Sequence, residues 1–268
     1  MKGTETEPLT NAMRKTVRGL DDARRRRESG LFVAEGTKCV LDTAVAFDCV
    51  ALYATHKWLD EHSGELAEGI VATPVTAADI ARMTHLQAPQ QVMAVFRIPD
   101  RDTPVDTAGE PLIVALDRIQ DPGNLGTIIR VADWMGVRHI LASNDTVDVY
   151  NPKVVQATMG SLARVRMHYV DLVRELGTLA AKGMNIYGTL LDDTAQNIYT
   201  APLSAGGVLV MGNEGRGISA EVRKVLTHKL YIPPYPPDAH TAESLNVAVA
   251  TSIALAEFRR RNLTCAKL

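Results

Sequence analysis

Short apolar segments alternate with helical segments throughout the second half of the chain, and this alternation limits the folds that it can adopt. The segments PLIVALDRI (111–119) and GGVLVMG (206–212) are almost continuously apolar, which is typical of strands buried on both faces. The stretches between such strands have the length and spacing of helices. The pattern therefore predicts an α/β domain with a parallel sheet and helices on both of its faces.

A smaller set of strands and helices precedes this domain. LFVAEG (31–36), CVALYAT (49–55) and QQVMAVFRI (90–98) are predicted strands, and residues 11–28 are predicted to form one helix. Segment 100–111 contains Pro, Gly and Asp without apolar periodicity, which is typical of a linker. We therefore predict a smaller α/β domain at residues 1–102, a linker at 103–110 and a larger domain at 111–268.

The net charge of −2 argues, taken alone, against a nucleic-acid partner. The charges are unevenly distributed, however, because residues 14–27 contain seven basic and two acidic side chains. Either a phosphate-contacting surface or an ordinary solvated helix face explains this cluster. A second basic cluster, at residues 259–261, leaves the same two alternatives. The candidate residues of a phosphate-contacting, nucleic-acid-binding surface are Arg14, Lys15, Arg24, Arg25, Arg26 and Arg27.

The cysteines and the apolar segments bear on the compartment. Cys39, Cys49 and Cys265 form no CxxC pair and fit a reducing cytoplasm better than a disulfide framework or a zinc site. No apolar run reaches the roughly 18–20 residues of a membrane-spanning helix. The N-terminal stretch lacks the apolar segment of a secretory signal. The sequence therefore predicts a cytoplasmic protein without a metal centre.

Ligands of open parallel sheets bind at the carboxyl ends of the strands, so the segments that follow strands carry the functional candidates. In DPGNLGTIIR (121–130), Asn124 is predicted to cap a helix. Arg130 lies among apolar residues, where an arginine either extends to solvent or contacts an anion. A simple capped turn between strand and helix explains Asn124 equally, but it does not explain Arg130.

Two further segments follow later strands. MGNEGRGIS (211–219) contains three glycines, which allow a ligand to approach the backbone closely, although a tight turn would also use them. It matches neither a Walker A loop nor the GxGxxG fingerprint. In ESLNVAVA (243–250), Ser244 is predicted to begin or cap the last helix, whose free N–H groups favour anions.

In this order, the three segments resemble the motifs of the SpoU-type, or TrmH-type, RNA 2′-O-ribose methyltransferases of the SPOUT superfamily. The resemblance extends over residues 111–262, and only the link from Pro233 to Ser244 is longer than the family's usual loop. The matching residues are Asn124, Gly126 and Arg130 in the first motif, Gly212, Glu214 and Gly215 in the second, and Ile232, Pro233, Ser244, Leu245, Asn246 and Val247 in the third.

The N-terminal part is similar to an RNA-binding domain that many family members carry, which is related to ribosomal proteins L30e and L7Ae. The residues that carry this similarity are Arg27, Gly30, Phe32, Val33, Glu35 and Gly36. The two resemblances together imply an enzyme with a substrate-binding domain followed by a catalytic domain.

The family resemblance implies a deep trefoil knot near the C-terminus and S-adenosylmethionine bound within it. It also implies a homodimer whose catalytic site is shared between subunits. The apolar last helix fits such a contact or simple burial within one chain. The implied cofactor-binding residues are Thr189, Leu190, Gly212, Ile232 and Leu245.

The implied reaction moves a methyl group to a ribose 2′-hydroxyl in RNA. The family assigns activation of the hydroxyl to the arginine matched by Arg130. Because arginine stays protonated in proteins, we expect Arg130 to bind the adjacent phosphate and to stabilise the developing alkoxide. The implied catalytic residues are Asn124, Arg130, Glu214, Ser244 and Asn246.

The N-terminal domain favours 23S ribosomal RNA over transfer RNA as the substrate. One alternative is a non-catalytic RNA-binding protein that retains the fold, although the intact motif residues disfavour it. A nucleotide-dependent oxidoreductase is a second alternative, suggested by the α/β pattern alone. No dinucleotide fingerprint follows the first strand of the larger domain, which argues against it.

Overall fold

The computed structural model describes residues 8–99, 109, 111–236 and 242–263. The helices are α1 (Asn11–Arg18), α2 (Ala23–Ser29), α3 (Thr37–Ala44), α4 (His56–His62), α5 (Ala77–Met83), α6 (Pro122–Trp134), α7 (Pro152–Thr158), α8 (Leu172–Ala181), α9 (Ala220–Arg223) and α10 (Val247–Leu263). The strands are β1 (Leu31–Glu35), β2 (Cys49–Thr55), β3 (Ala72–Val75), β4 (Val92–Arg97), β5 (Leu112–Asp117), β6 (His139–Ser143), β7 (Arg166–Val170), β8 (Ile186–Thr189), β9 (Gln196–Asn197), β10 (Gly207–Gly212) and β11 (His228–Tyr231).

The contacts divide the chain into two compact units. Among the described residues, 8–99 and 148–164 form the first unit, and 109, 111–147, 165–236 and 242–263 form the second. Segment 148–164, which contains α7, therefore packs with the N-terminal elements although it follows β6 in the sequence.

In the described part of the chain, no helix has the length and apolar character that crossing a membrane requires.

The first unit has a four-stranded sheet in the order β1-β4-β2-β3. Its aromatic core joins the sheet to the later segment, because the ring of Phe32 on β1 lies 4.7 Å from that of Tyr150.

The predicted single helix at 11–28 is wrong, since a 3-10 turn at Gly19–Asp21 separates α1 from α2. Asp22 caps α2 by accepting hydrogen bonds from the N–H groups of Arg24 and Arg25, a role that aspartate favours strongly.

The second unit has a seven-stranded sheet in the order β7-β6-β5-β10-β8-β11-β9. All its strand pairs are parallel, and β5 is buried along its whole length. The predicted α/β fold with a parallel sheet is confirmed. The two-residue strand β9 at the edge was not predicted, because so short a strand carries no hydrophobic pattern.

Two predicted helix caps are wrong. Helix α6 begins at Pro122 and is capped by Asp121, whose carboxylate accepts from the N–H of Asn124 at 2.8 Å. Pro122 decides this start, because its missing N–H and fixed φ suit the first helical position. Helix α10 begins at Val247 rather than at Ser244, and the Asn246 side chain accepts from the N–H of Ala248 at 2.9 Å.

The basic cluster at 259–261 stabilises the second unit. Arg259 donates to the carbonyls of Met135 and Gly136, where α6 ends, and Arg261 donates to the carbonyl of Ile198. Arg260 and Arg261 both contact the buried carboxylate of Glu257. The phosphate-contact alternative is therefore not supported for Arg259 and Arg261, because their guanidinium groups form hydrogen bonds within the second unit.

Candidate active site

The carboxyl ends of β5, β8, β10 and β11 lie at one edge of the parallel sheet. Gly212 at the end of β10 is paired in register with Asp117 at the end of β5. On its other side, β10 neighbours β8, which in turn neighbours β11. The segments that follow these strands are therefore adjacent in space, although they are far apart in the sequence.

The loop after β10 is organised by Asn213. Its Oδ1 accepts from the N–H groups of Gly215 and Arg216 at 3.0 and 3.1 Å. Its Nδ2 donates to the carbonyl of Arg118 at 2.8 Å, and Arg118 has a φ of +61°. Asn213 therefore fixes both the turn and its position beside β5. Sequence reasoning missed this residue, and the only signal was its place between two motif residues.

Asp117 and Gly212 fix the two ends of the same loop. The Asp117 side chain is 2% exposed and accepts from the N–H of Ser219 at 2.6 Å. A Cβ on Gly212 would lie 2.3 Å from the backbone nitrogen of Ile218, so only glycine fits there. With both ends held, Glu214 projects from the loop as an exposed side chain.

Three predicted catalytic residues meet in one hydrogen-bonded cluster. Asn124 Nδ2 donates to Glu214 Oε1 at 2.6 Å, and Asn246 Nδ2 donates to Asn124 Oδ1 at 2.9 Å. Asn124 lies in the first turn of α6, Glu214 follows β10, and Asn246 precedes α10. The structure thus joins one residue from each of the three sequence motifs.

Two predicted catalytic residues lie outside this cluster. Arg130 is exposed and lies six residues after Asn124 on α6, a rise of about 9 Å along the helix axis. Its guanidinium has no hydrogen bond or ion pair with any residue that the structure describes. Ser244 is also exposed and has no side-chain hydrogen bond within the described residues.

Backbone groups at the ends of β8 and β11 form a second part of the site. The N–H of Leu190 donates to the carbonyl of Leu230 at 2.9 Å, which is the last bond between these segments. Beyond it, the carbonyl of Leu190 and the N–H of Ile232 have no hydrogen-bond partner among the described residues. One free acceptor and one free donor match the edge of an adenine ring, which offers both kinds of group.

The neighbouring predicted cofactor contacts differ in how they are held. The Thr189 hydroxyl donates to Met211 Sδ at 3.3 Å, next to Gly212. Leu245 is 49% exposed and lies between Ser244 and Asn246. Thr189, Leu190, Gly212 and Ile232 are therefore all at strand ends, whereas Leu245 comes from the segment that precedes α10.

A charged brace holds the chain that follows Leu190. Lys229 Nζ contacts Asp192 Oδ2 and Thr194 Oγ1, each at 3.0 Å. Hydrogen bonds from Thr194, together with Lys229, hold the pKa of Asp192 well below its usual range. The carboxylate therefore stays ionised, and the brace persists, throughout the neutral pH range.

The predicted RNA-contacting residues of the first unit fall into two groups. Lys15, Arg24, Arg25 and Arg27 are exposed, and Arg14 forms an ion pair with Asp79 at 2.8 Å. Arg26 must be removed from the predicted set, because it is 1% exposed. Its guanidinium contacts Asp148 Oδ2 at 2.8 Å and the carbonyl of Leu20, so it stabilises the fold.

Comparison with known proteins identifies the family. Residues 111–256 match the SpoU rRNA Methylase family, and residues 11–94 match the MRM3-like substrate binding domain. The chain belongs to the SpoU rRNA methylase family. A Bacillus subtilis member, 23S rRNA (guanosine(2553)-2′-O)-methyltransferase RlmP, is 30% identical over 95% of this chain and 99% of its own length. An uncharacterized tRNA/rRNA methyltransferase of Synechocystis is 31% identical over 94% of the chain and 92% of its own length.

Solved SpoU-family structures have the same fold. A putative RNA methyltransferase of the TrmH family from Porphyromonas gingivalis has a TM-score of 0.85 and 38% identity, covering 95% of this chain and 100% of the other. An AdoMet-bound rRNA methyltransferase from Sinorhizobium meliloti has a TM-score of 0.81 and 31% identity, covering 96% and 98%. The resemblance stated from the sequence motifs is therefore confirmed.

Proposed function

We propose that the chain transfers the methyl group of S-adenosylmethionine to a ribose 2′-hydroxyl of 23S ribosomal RNA. The observation that carries this proposal is the cluster of Asn124, Glu214 and Asn246. It lies at the same sheet edge as the free backbone groups of Leu190 and Ile232. A polar cluster at the same sheet edge as a free backbone acceptor and a free backbone donor suits a reaction between a nucleoside cofactor and a hydroxylated substrate.

The cofactor assignment rests on the strand ends. The proposed contacts are Thr189, Leu190, Gly212, Ile232 and Leu245, and we expect them to lie in the knot that the family resemblance implies. Because backbone groups provide the adenine contacts in this proposal, those contacts need no particular side chain. When bound, S-adenosylmethionine supplies an electrophilic methyl group on a positively charged sulfur. The Sinorhizobium meliloti neighbour was solved with AdoMet bound.

The remaining chemistry falls to the side chains of this chain. In our proposal, Asn124, Asn246 and Ser244 orient the ribose, and Glu214 holds Asn124 in place. The 2′-oxygen would gain the methyl group as the carbon–sulfur bond breaks and its electron pair stays on sulfur. The 2′-oxygen would lose its proton to the adjacent RNA phosphate. Arg130 binds this phosphate and stabilises the negative charge that develops on the oxygen. Arg130 cannot itself accept the proton, because its guanidinium stays protonated.

We further propose a homodimer in which each site takes Arg130 from the second copy. Arg130 lies outside the cluster of its own chain and has no partner among the described residues. Trp134, one helical turn further along α6, is 87% exposed. A large exposed aromatic side chain is typical of a protein interface. A second copy seated on this part of α6 would bury Trp134.

The choice of 23S ribosomal RNA is supported by the relatives. The Bacillus subtilis protein, which the chain matches over almost its whole length, is named for a 23S rRNA guanosine. A Burkholderia relative with 32% identity over 70% of this chain is named as a 23S rRNA guanosine methyltransferase too. We therefore propose a guanosine of 23S RNA rather than a transfer RNA, and a cytoplasmic location with the ribosomes.

The test uses the purified chain, S-adenosylmethionine labelled in its methyl group, and either ribosomal or transfer RNA. We expect label in the ribosomal fraction and one 2′-O-methylated nucleotide after mapping. Label only in transfer RNA would overturn the choice of substrate. Binding of RNA with no transfer of label, and no S-adenosylmethionine binding by calorimetry, would favour the non-catalytic alternative. Calorimetry with NAD tests the oxidoreductase alternative in the same way.

A further inference from the structure

A basic cleft of about 800 Å³ lies in the first unit, where α1, the 3-10 turn and α5 meet. We propose that this cleft clamps the sugar–phosphate backbone of the RNA substrate, an inference that rests on the proposed function. Its basic walls include Arg18 and Arg82, which the sequence analysis did not select. The cleft is lined by Arg14, Lys15, Arg18, Gly19, Asp21, Asp22, Arg25 and Arg82.

An ion pair sets the geometry of the cleft. Arg14 on α1 contacts Asp79 on α5 at 2.8 Å. Residues three or four apart lie on the same face of a helix, so Arg18 faces the same way as Arg14, and Arg82 the same way as Asp79. Pairing Arg14 with Asp79 therefore brings Arg18 and Arg82 to one opening. Arg18 is held further by a hydrogen bond from its Nη1 to the carbonyl of Thr84.

Arg25 enters the cleft because Gly19 has no side chain. A Cβ on Gly19 would lie 2.2 Å from Arg25 Nη1 and 2.9 Å from its Cδ. The φ of Gly19 is −77°, which any residue can adopt. A side chain at position 19 would therefore meet the flexible end of the Arg25 side chain rather than the backbone. The turn between α1 and α2 therefore leaves space for the Arg25 side chain, which adds its positive charge to the cleft.

The cations of the cleft exceed its anions, and several have no partner. The side chains of Lys15, Arg25 and Arg82 form no hydrogen bond or ion pair within the described residues. Asp22 caps α2, where hydrogen bonds from the backbone N–H groups of Arg25 and Arg24 lower the pKa of its carboxyl. The acidic side chains of Asp21 and Asp22 therefore offset only part of the positive charge that the five basic side chains of the lining supply. Phosphate suits the cleft best, because arginine binds phosphate oxygens in pairs.

The lining also indicates which part of the RNA is bound. No aromatic side chain lines the cleft, whereas proteins that hold unpaired bases stack them on aromatic rings. Contacts to phosphates position a nucleic acid without reading its sequence. The cleft should therefore contribute affinity and orientation, and leave the choice of the methylated nucleotide to the other unit.

The test compares Arg82→Gln and Arg18→Gln with Arg97→Gln as the matched control. Arg97 lies in the same unit, is 61% exposed and pairs with Asp48 outside the cleft, so all three variants lose one positive charge. RNA affinity is measured over a range of KCl concentrations. We expect each cleft variant to weaken binding several-fold and to reduce the salt slope by about one.

The outcomes separate this proposal from the proposed function. If the wild-type chain methylates RNA and the cleft variants bind RNA like Arg97→Gln, the cleft proposal is overturned and the function stands. If the cleft variants lose RNA affinity but the wild-type chain transfers no methyl group, the function fails and the cleft stands. At saturating RNA we expect kcat to be unchanged in the cleft variants and KM to rise. A fall in kcat without a rise in KM would contradict a purely binding role.

Discussion

The side-chain amide of Asn124 donates a 2.6 Å hydrogen bond to the carboxylate of Glu214, which lies 90 residues later in the sequence. The carboxylate of Glu214 thus accepts from a neutral donor, and the amide oxygen of Asn124 accepts a hydrogen bond from the Asn246 side chain. Each of the three side chains thus limits the rotation of the next. The cluster is therefore a preorganised unit whose members should affect turnover together.

Substitutions of Glu214 test whether turnover depends on the orientation of the Asn124 side chain or on the negative charge of the Glu214 carboxylate. Gln at position 214 retains an oxygen that can accept from Asn124, whereas Ala removes the acceptor. We therefore expect Glu214→Ala to lower kcat by about 10- to 100-fold, and Glu214→Gln to lower it much less. Methyl transfer at saturating S-adenosylmethionine measures the effect, with cofactor affinity measured separately. Equal losses in both variants would show that the negative charge itself is required.

The sequence motifs predicted the members of this cluster but not what holds them. Asn124, Glu214 and Asn246 were recognisable because they match the motifs of the SpoU-type methyltransferases. Asp117 and Asn213 were not, because each acts on backbone groups brought close only by the parallel register of β5 and β10.

Local signals that compete with one another cannot be ranked from the sequence alone. Asp121 and Asn124 are both good helix caps, and only the fold shows which of them is used. In the same way, four consecutive arginines at 24–27 look equivalent in the sequence. Arg26 becomes distinct only through Asp148, which lies 122 residues away. Contacts between distant segments therefore account for most of what the sequence did not predict.

Arg26 and Arg27 should differ sharply in their effect on stability. Arg26→Ala removes a buried guanidinium from Asp148 and from two backbone carbonyls. We expect the free energy of unfolding of the first unit to fall by about 3 kcal/mol, whereas Arg27→Ala, at an exposed position, should change it by less than about 0.5 kcal/mol. Urea unfolding followed by the fluorescence of Trp58, which is 1% exposed, reports on this unit. A similar loss in the two variants would contradict the structural role of Arg26.

His168 should make the second unit sensitive to mild acid. Burial, followed by the nearby His139 and Arg166, lowers the pKa of His168 from 6.5 to about 4. The neutral ring stabilises the fold above pH 6.5, and this contribution is lost as the pH falls from 6.5 towards 4. We expect a loss of about 1 kcal/mol between pH 7.5 and pH 5, because solvent screens part of the effect at this half-buried ring. Thermal unfolding followed by circular dichroism at both pH values tests this.

His168→Gln and His56→Gln separate this effect from general acid destabilisation. Position 168 cannot titrate in the first variant, so its stability should depend less on pH than that of the wild-type chain. His56 is exposed and lies in the first unit, so its substitution is the matched control for the loss of one imidazole. If the two variants had the same pH dependence, the titration of His168 would not be responsible.

Arg130 should act on the site of the second copy, and paired inactive variants can reveal this. Arg130→Ala should abolish turnover with nearly unchanged S-adenosylmethionine affinity, and Asn124→Ala should also be inactive. A heterodimer of the two, isolated with two different affinity tags, has one site with both residues intact if Arg130 acts across the interface. By two-fold symmetry we expect about half of the wild-type activity per dimer.

The interface itself provides the control for this experiment. Trp134→Glu places a charge at an 87% exposed aromatic position, where burial against a second copy would become unfavourable. We expect this variant to elute as a monomer in size-exclusion chromatography with light scattering, to retain its fold and to lose methyl transfer. An inactive heterodimer of Arg130→Ala and Asn124→Ala, combined with an active Trp134→Glu monomer, would mean that Arg130 serves its own chain. In that case Arg130 would have to reach the cluster by a movement of its side chain or of α6.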